Sequence, residues 1–298
     1  MIKAAIVGYG NIGRAALEAL CSAGDFSVCG VVRRSGSGEG VPELQGIPVA
    51  RRIEDLPQKP EVALLCTPTR SVRETAEAVL KLGISTVDSF DIHSQIPQMH
   101  AALDAAAKAG GAAAILSAGW DPGSDSVVRT LLEACAPRGL TYTNFGPGMS
   151  MGHSVAIRAI EGVADAISIT IPAGAGLHKR MCYVQLKEGY DPAVVKRKIK
   201  EDDYFAHDET HVKFVPDVSL VRDMGHGVHI ERKGVSGQTH SQRFSFDMQI
   251  NNPALTAQIM VSAARAALRQ QPGCYTLIEL PPVDLLPGDR AGHIARLV

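Results

Sequence analysis

The start of the chain carries residues that could bind the phosphates of a dinucleotide. A strand-like apolar run is followed by Gly8-Tyr9-Gly10-Asn11-Ile12-Gly13, and a helix-like segment comes next. Gly8 permits a tight turn, Gly10 lets the backbone approach a pyrophosphate, and Gly13 lets the helix pack close to the strand. The free N–H groups at the helix start would face the phosphates. The motif in this context predicts a dinucleotide site made by these six residues.

The end of the second strand-like run indicates which dinucleotide is bound. In chains that use NAD, an acidic residue near this point accepts a hydrogen bond from the ribose 2′-OH. Here Arg33 and Arg34 occupy the position and Ser35 follows them. These side chains could form charge-assisted hydrogen bonds with a 2′-phosphate, so we expect NADP. The alternative is that the two arginines form only a solvated loop end.

Composition excludes several classes of function. The 298 residues, of which 45% are hydrophobic and 20% charged, can build sizeable cores in roughly two domains. The formal net charge of −1 and the absence of a basic block argue against a nucleic-acid partner. We find no leader pattern and no apolar run of spanning length, so we expect a cytoplasmic protein. The six cysteines lack metal-ligand spacing, so we expect free thiols and no metal site.

Segment patterning predicts two domains of different architecture. Up to residue 120, strand-like and helix-like segments alternate, which predicts an α/β fold with a Rossmann-type doubly wound parallel sheet. Residues 121–252 carry further strand-like segments typical of a second α+β domain built on a mostly antiparallel sheet. We expect residues 253–298 to return to the first, dinucleotide-binding domain and complete it.

Polar residues follow the predicted strands, where open parallel sheets bind their ligands. Cys66-Thr67-Pro68-Thr69 follow one strand and are candidates for contact with the cofactor. Asp91 follows the next strand, and Trp120 and Asp121 follow another. An arginine such as Arg180 in the second domain can hold a carboxylate, whereas two neighbouring carboxylates favour a cation. This combination suits an amino acid with more than one carboxylate.

Residue type alone leaves structural alternatives open at these positions. Asp121 could be a turn residue before Pro122, and Asp91 could be the acid at a helix start. Trp120 could belong to an ordinary core, and Arg180 could belong to a surface basic cluster.

Four segments closely resemble the meso-diaminopimelate dehydrogenase family. They are DSFDIH at 88–93, GWDPG at 119–123, FGPGMSMGHS at 145–154 and HKR at 178–180. Their order and spacing match over nearly the whole chain, and the third segment is far more specific than a dinucleotide motif. The short loop at 173–177, together with Gln95 where some members carry an acid, is similar to a shorter subgroup.

The resemblance implies a reaction and a set of site residues. The reaction is the reversible, NADP-linked oxidative deamination of meso-2,6-diaminopimelate at its D-centre to L-2-amino-6-oxopimelate and ammonia, in lysine and cell-wall precursor biosynthesis. The shorter subgroup includes members that aminate 2-keto acids to D-amino acids. The resemblance further implies a homodimer, whose second domain binds substrate and dimerises, and catalytic roles for Asp91 and Asp121. The substrate-binding residues it implies are Trp120, Phe145, Met151, Gly152, Thr170, Arg180, His226 and Asn252.

Two other functions remain open from the residues. One is another NADP-linked dehydrogenase or reductase, acting on aspartate, homoserine or dihydrodipicolinate. The other is a regulator that binds NADP without catalysis, although the chain has no basic DNA-reading segment.

Overall fold

The computed structural model describes residues 1–221 and 225–298, and of Met151 the backbone alone. The described chain divides into two compact units, residues 1–130 with 253–298 and residues 131–252. The first unit therefore extends beyond the boundary predicted after residue 120. The reason is that the helix Ser124–Cys135 is bonded at its first turn to the loop before it, where the Asp125 N–H donates to Trp120 O at 3.1 Å.

In the first part of the chain strands alternate with α-helices, except that the three strands between residues 26 and 65 follow one another without one. In chain order the elements are β1 (Ile2–Val7), α1 (Asn11–Ser22), β2 (Phe26–Val32), β3 (Val49–Ala50), β4 (Val62–Leu65), α2 (Val72–Leu80), β5 (Ser85–Asp88), α3 (Ile96–Gly110), β6 (Ala113–Ile115), α4 (Ser124–Cys135), β7 (Arg138–Phe145), β8 (Gly148–Ser150), α5 (Met151–Arg158), β9 (Val163–Gly174), β10 (Leu177–Leu186), α6 (Pro192–Glu201), β11 (Glu209–Phe214), β12 (Gly225–Ser236), β13 (Thr239–Asn251), α7 (Asn252–Ala267), β14 (Gly273–Tyr275) and α8 (Arg290–Leu297).

A seven-stranded parallel sheet organises the first unit. Its order is β14-β6-β5-β4-β1-β2-β3, and every neighbouring pair is parallel. The strand order reverses at β1, which pairs with β2 on one side and β4 on the other. A ligand binds such a sheet at the carboxyl ends of the strands near this reversal. The predicted Rossmann-type parallel sheet is confirmed.

Both faces of this sheet are covered by helices. Successive residues of β1 point to opposite faces, so Ala4 and Ile6 pack in one buried cluster and Ala5 and Val7 in another. The first cluster includes residues of α1 and α7, and the second includes residues of α2 and α3. Central strands are therefore apolar throughout, as in β4, where every residue is buried.

The second unit contains two smaller sheets. One has the order β11-β10-β9-β8 and the other β13-β12-β7. All pairs are antiparallel except β10 with β11, so the predicted, mostly antiparallel second fold is confirmed. Helices α5 and α6 supply Ile157 and Ile199 to a core shared with Cys182 and Val184 of β10. Residue patterning does not predict α5, because its first turn lies in a Gly- and His-rich stretch whose composition is typical of loops.

Two chemical properties of the described residues bear on the site. The six cysteines are all free thiols. Within the described ranges no helix is both long and apolar enough to cross a membrane, and no group of His, Cys, Asp and Glu could hold a metal ion.

Candidate active site

The turn between β1 and α1 requires glycine at two positions. Gly8 has φ +94°, and a Cβ there would lie 2.4 Å from Cys66 O. A Cβ on Gly13 would lie 2.3 Å from Gly8 O, so α1 can approach the turn only without a side chain. Beside Gly10 no atom lies within 4 Å of the position a Cβ would take. That open space, next to the helix start formed by Asn11 and Ile12, fits the close approach of a phosphate.

Three buried polar atoms around this turn make no hydrogen bond within the described chain. They are Tyr9 Oη, Arg33 Nη1 and Thr67 Oγ1. The Arg33 guanidinium lies 6.0 Å from the centre of the Tyr9 ring. Buried donors are normally satisfied, so these atoms fit a polar ligand such as a dinucleotide. Arg34 and Ser35 are exposed in the following loop, where they remain accessible to such a ligand.

The loop after β4 connects the dinucleotide turn with the first candidate carboxylate. Cys66 N–H donates to Val7 O at 2.7 Å, and burial raises the pKa of the Cys66 thiol to about 12, so this thiol is inert. After Pro68, the Thr69 hydroxyl donates to Asp91 Oδ1 at 2.7 Å. Thr69, a candidate for contact with the cofactor, therefore bonds to Asp91, a candidate catalytic residue, beyond the ends of β4 and β5.

Asp88, at the end of β5, has a structural role. It is fully buried, and its Oδ1 accepts hydrogen bonds from the backbone N–H groups of Phe90 at 2.9 Å and Ser117 at 3.0 Å. Burial raises the pKa of Asp88 to about 6, against the effect of these two bonds. Asp88 therefore holds together the exits of β5 and β6, while Asp91 is exposed on the loop it shapes.

Asp121 belongs to a group of charged residues that the sequence analysis missed in part. Its Oδ1 accepts from Arg129 Nη2 at 2.9 Å, and its Oδ2 lies 3.9 Å from His93 Nε2. Arg129 Nη1 donates to Asp125 Oδ2, also at 2.9 Å. The neighbouring Trp120 is buried. The spacing of four residues from Asp125 to Arg129 within α4 was the available signal, because residues four apart on a helix are neighbours.

One guanidinium thus serves two carboxylates that differ in burial. The Asp121 side chain is 11% exposed and that of Asp125 is fully buried. Burial, followed by the charge of Asp121, raises the pKa of Asp125 to about 8, although Arg129 opposes the shift. Asp125 therefore favours its protonated form near neutral pH, and the Arg129 charge acts mainly on Asp121.

In the second unit, strands β9 and β10 bring Thr170 and Arg180 together. The two residues are directly opposite in the antiparallel pair, and Arg180 Nη1 donates to Thr170 Oγ1 at 2.5 Å. Arg180 Nε donates to Asp208 Oδ2 at 2.6 Å. Asp208 was not singled out from the sequence, since it lies in a turn 28 residues further along the chain.

His178 joins this pair to Phe145. Two residues before Arg180 on β10, it lies on the same face of the strand, and its Nε2 accepts from the Phe145 N–H at 2.8 Å. Burial and the charge of Arg180 lower the pKa of His178, in agreement with a neutral acceptor. The Phe145 ring also meets the buried His226 ring edge-on, with centres 6.5 Å apart.

The remaining predicted substrate residues lie at helix starts. Gly152 is exposed in the first turn of α5, and Asn252 is half-buried at the first position of α7. The side chain of Met151 lies outside what the structure describes. Next to Gly152, His153 Nδ1 is 2.8 Å from Ser150 Oγ, and burial, aided by the Arg180 charge, lowers the pKa of His153 to about 4. His153 is therefore neutral at physiological pH.

Comparison with known proteins identifies the family. Residues 119–177 and 173–252 match the family described as diaminopimelic acid dehydrogenase C-terminal domain. Residues 2–112 match the oxidoreductase family with an NAD-binding Rossmann fold. The chain is 60% identical over 297 residues to the meso-diaminopimelate D-dehydrogenase of Bacteroides fragilis, and this match covers 100% of the chain and 99% of the relative. The chain belongs to the meso-diaminopimelate D-dehydrogenase family.

Solved structures agree with membership in the meso-diaminopimelate D-dehydrogenase family. A C. glutamicum DAP dehydrogenase in complex with DAP has a TM-score of 0.88 at 30% identity, over 100% of this chain and 99% of the other. An engineered D-amino acid dehydrogenase bound to NADP+ has a TM-score of 0.83 at 28% identity, and this match covers 100% of this chain and 99% of the other. The chain is therefore an amino acid dehydrogenase with a Rossmann unit of the NAD(P)-binding type, and the expected family is confirmed. A regulator without catalysis and an aspartate, homoserine or dihydrodipicolinate enzyme are set aside.

The protonated state of Asp125 predicts how stability depends on pH. Since its pKa in the folded protein is raised from 3.8 to about 8, the contribution of Asp125 is fully present below pH 3.8 and is lost as the pH rises towards 8. Asp125→Asn mimics the neutral form, so its free energy of unfolding should improve relative to that of the wild type between about pH 5 and about pH 8. Urea denaturation at a series of pH values measures the difference.

Asp88→Asn is the matched control for this prediction. Because burial raises the pKa of Asp88 only to about 6, the corresponding gain should be complete by about pH 7 and should stay constant above it. Parallel stability curves for wild type and Asp125→Asn over the whole range would contradict a protonated Asp125.

Proposed function

We propose that this chain catalyses the reversible, NADP-dependent oxidative deamination of meso-2,6-diaminopimelate at its D-centre, giving L-2-amino-6-oxopimelate and ammonia. The observation that carries the proposal is the 60% identity, over the full chain, to an enzyme named for this activity. In the reductive direction the same site aminates 2-keto acids to D-amino acids. This direction supplies the D-centre of a precursor for lysine and the cell wall.

The dinucleotide turn is the proposed cofactor site, and NADP is the proposed dinucleotide. The bound nicotinamide supplies the hydride acceptor. Gly8, Gly10 and Gly13 let the phosphates approach the backbone, together with Tyr9, Asn11 and Ile12. Arg33, Arg34 and Ser35 bind the 2′-phosphate, and the unpartnered Nη1 of Arg33 supports this assignment. The exit of β4, namely Cys66, Thr67, Pro68 and Thr69, lines the same site.

Asp91 and Asp121 act on the reacting amino group. The substrate ammonium must lose a proton before hydride can leave, and a carboxylate within hydrogen-bonding reach can accept it. A negative charge fixed beside the reacting carbon also lowers the energy of the cationic iminium that forms there. Arg129 fixes the Asp121 carboxylate, and Thr69 fixes that of Asp91. Both aspartates therefore remain candidates for the proton acceptor.

The substrate carboxylates are assigned to other residues. Thr170, Arg180, His226 and Asn252 hold the distal, L-configured end, where the Arg180 guanidinium pairs with the carboxylate. Trp120 is assigned to the reacting amino group, Met151 and Gly152 to the carboxylate beside that group, and Phe145 to the wall of the pocket. The Arg180–Thr170 bond and the Phe145–His226 contact support the placement of Thr170, Arg180, Phe145 and His226 in the second unit.

We further propose a cytoplasmic homodimer in which the second unit dimerises. Along β13 exposed and half-buried residues alternate and none is buried, as in a sheet face that a second copy could cover. The six free thiols support a reducing compartment.

Replacement of Asp121 tests the proposed reaction. The wild type should release NADPH and ammonia in equal amounts from meso-diaminopimelate, and Asp121→Asn should lower kcat by at least about 100-fold, because a charge that acts on the transition state is lost. Exposed Asp55→Asn serves as the control and should change nothing. Turnover of Asp121→Asn near that of the wild type would remove Asp121 from the mechanism, and a wild type without activity would refute the reaction.

Replacement of the two loop arginines tests the choice of NADP. Arg33→Ala combined with Arg34→Ala should raise the KM for NADP+ by about 10- to 100-fold, the range for losing hydrogen bonds to a charged group, with little change for NAD+. Arg52→Ala, which removes an exposed arginine paired with Glu54 at 2.7 Å, is the control. An equal loss with both dinucleotides would mean that the arginines do not read the 2′-phosphate.

A further inference from the structure

Arg180 is held on two sides by its neighbours in the four-stranded sheet. On β10 it lies opposite Thr170 of β9 and beside Thr210 of β11. Its Nη1 donates to Thr170 Oγ1 at 2.5 Å, and its Nε donates to Asp208 Oδ2 at 2.6 Å. Because the guanidinium is planar and rigid, two bonds to different nitrogen atoms fix both its position and its plane.

Asp208 is itself fixed by the turn that leads into β11. Phe205 anchors this turn, because it is buried in the core formed with α5 and α6. The Asp208 N–H donates to Phe205 O at 3.1 Å, and the Thr210 hydroxyl lies 3.3 Å from Asp208 O and 3.4 Å from Phe205 O. The carboxylate therefore reaches Arg180 from a restrained backbone.

Shielding from water distinguishes this ion pair from its neighbour in the same strands. The side chains of Arg180 and Asp208 are 13% and 26% exposed, whereas those of Lys179 and Glu209 are 45% and 54% exposed. An exposed pair contributes little, while a shielded, charge-assisted bond is short and strong. The Arg180–Asp208 bond can therefore restrain a side chain that otherwise has many rotamers.

We propose that Asp208 is a positioning residue that orients Arg180 and thereby selects substrates with a distal carboxylate. The inference rests on the proposed function, in which Arg180 pairs with that carboxylate. Asp208 engages Nε and Thr170 engages Nη1, so neither bond falls on Nη2. In this proposal Nη2 pairs with the distal carboxylate, and Asp208 acts only through Arg180.

Orientation, rather than charge, is the contribution of Asp208. Binding a carboxylate with a disordered arginine requires that side chain to be ordered at the moment of binding, whereas a prearranged arginine avoids this cost. Removal of the Asp208 side chain should therefore weaken binding of the distal carboxylate. If Asp208 only reduced the positive charge of Arg180, its removal would have the opposite effect and strengthen the binding of anions.

Kinetics of Asp208→Ala and Asp208→Asn with two substrates test the proposal. Asp208→Ala should raise the KM for meso-diaminopimelate about tenfold, the scale for ordering one long side chain, and leave kcat nearly unchanged. D-alanine lacks a distal carboxylate, so its kcat/KM should not change. Asp208→Asn keeps an oxygen that can accept from Nε and should retain most of the affinity for meso-diaminopimelate.

Two further variants serve as controls. Glu209→Gln alters the adjacent, exposed carboxylate and should leave both substrates unaffected. In an Arg180→Met background, which itself raises the KM for meso-diaminopimelate, Asp208→Ala should add no further loss, because the group that it orients is gone. Thermal unfolding of each variant shows whether the fold is retained.

Three results would overturn the proposal. They are an unchanged KM in Asp208→Ala, tighter binding of meso-diaminopimelate in both Asp208 variants, and an equal loss on D-alanine. If the wild type and Arg180→Met behave as expected but Asp208→Ala does not, this inference alone fails. A wild type that does not oxidise meso-diaminopimelate would overturn the proposed function together with it.

Discussion

The parallel sheet of the first unit constrains where chemistry can take place, because the loops that follow β1, β4, β5 and β6 all leave at its carboxyl edge. Gly8 can pass Cys66 O only without a side chain, so the dinucleotide turn is pressed against the exit of β4. From that exit Thr69 reaches Asp91 beyond β5. Asp88 in turn ties the exit of β5 to that of β6. The spacing of the strands therefore determines which side chains meet.

Two arginines control the charged groups, one in each unit. Arg129 is shared by Asp121 and Asp125, and because Asp125 is buried it favours the protonated form, so that Asp121 keeps the ion pair. Arg180 is bonded to one carboxylate and one hydroxyl, which restrain it through Nε and Nη1. In both cases the fold places an arginine by means of a neighbouring aspartate. These two aspartates have supporting roles, whereas Asp121 and Arg180 are the groups proposed to meet the substrate.

The sequence predicted those features that depend on local pattern. The glycine spacing with its flanking segments predicted the β1–α1 turn, and the alternation of segments predicted the parallel sheet, but not its short strands β3 and β14. Family resemblance, rather than residue type, singled out Asp121 and Arg180 against their structural alternatives. The helix α5 was missed because its Gly- and His-rich start is typical of loops.

Residues that act through tertiary contacts were harder to predict. Asp208 lies 28 residues from Arg180, and only the parallel pairing of β10 with β11 brings the two together. Asp125 and Arg129 could have been noticed in the sequence, because they lie four residues apart on α4. However, an acid and a base at that spacing are common on solvated helices. Only the burial of Asp125 distinguishes the pair from a surface contact.

The central claim is that the enzyme oxidises a D-configured amino centre while it recognises a distal L-configured one. The most direct test is the rate of NADP+ reduction by the wild type with meso-, LL- and DD-diaminopimelate offered separately. The account predicts activity with the meso compound and little or none with the other two. Comparable rates with the DD compound would contradict recognition of the distal centre, and a rate with the LL compound alone would contradict the assignment of the reacting centre.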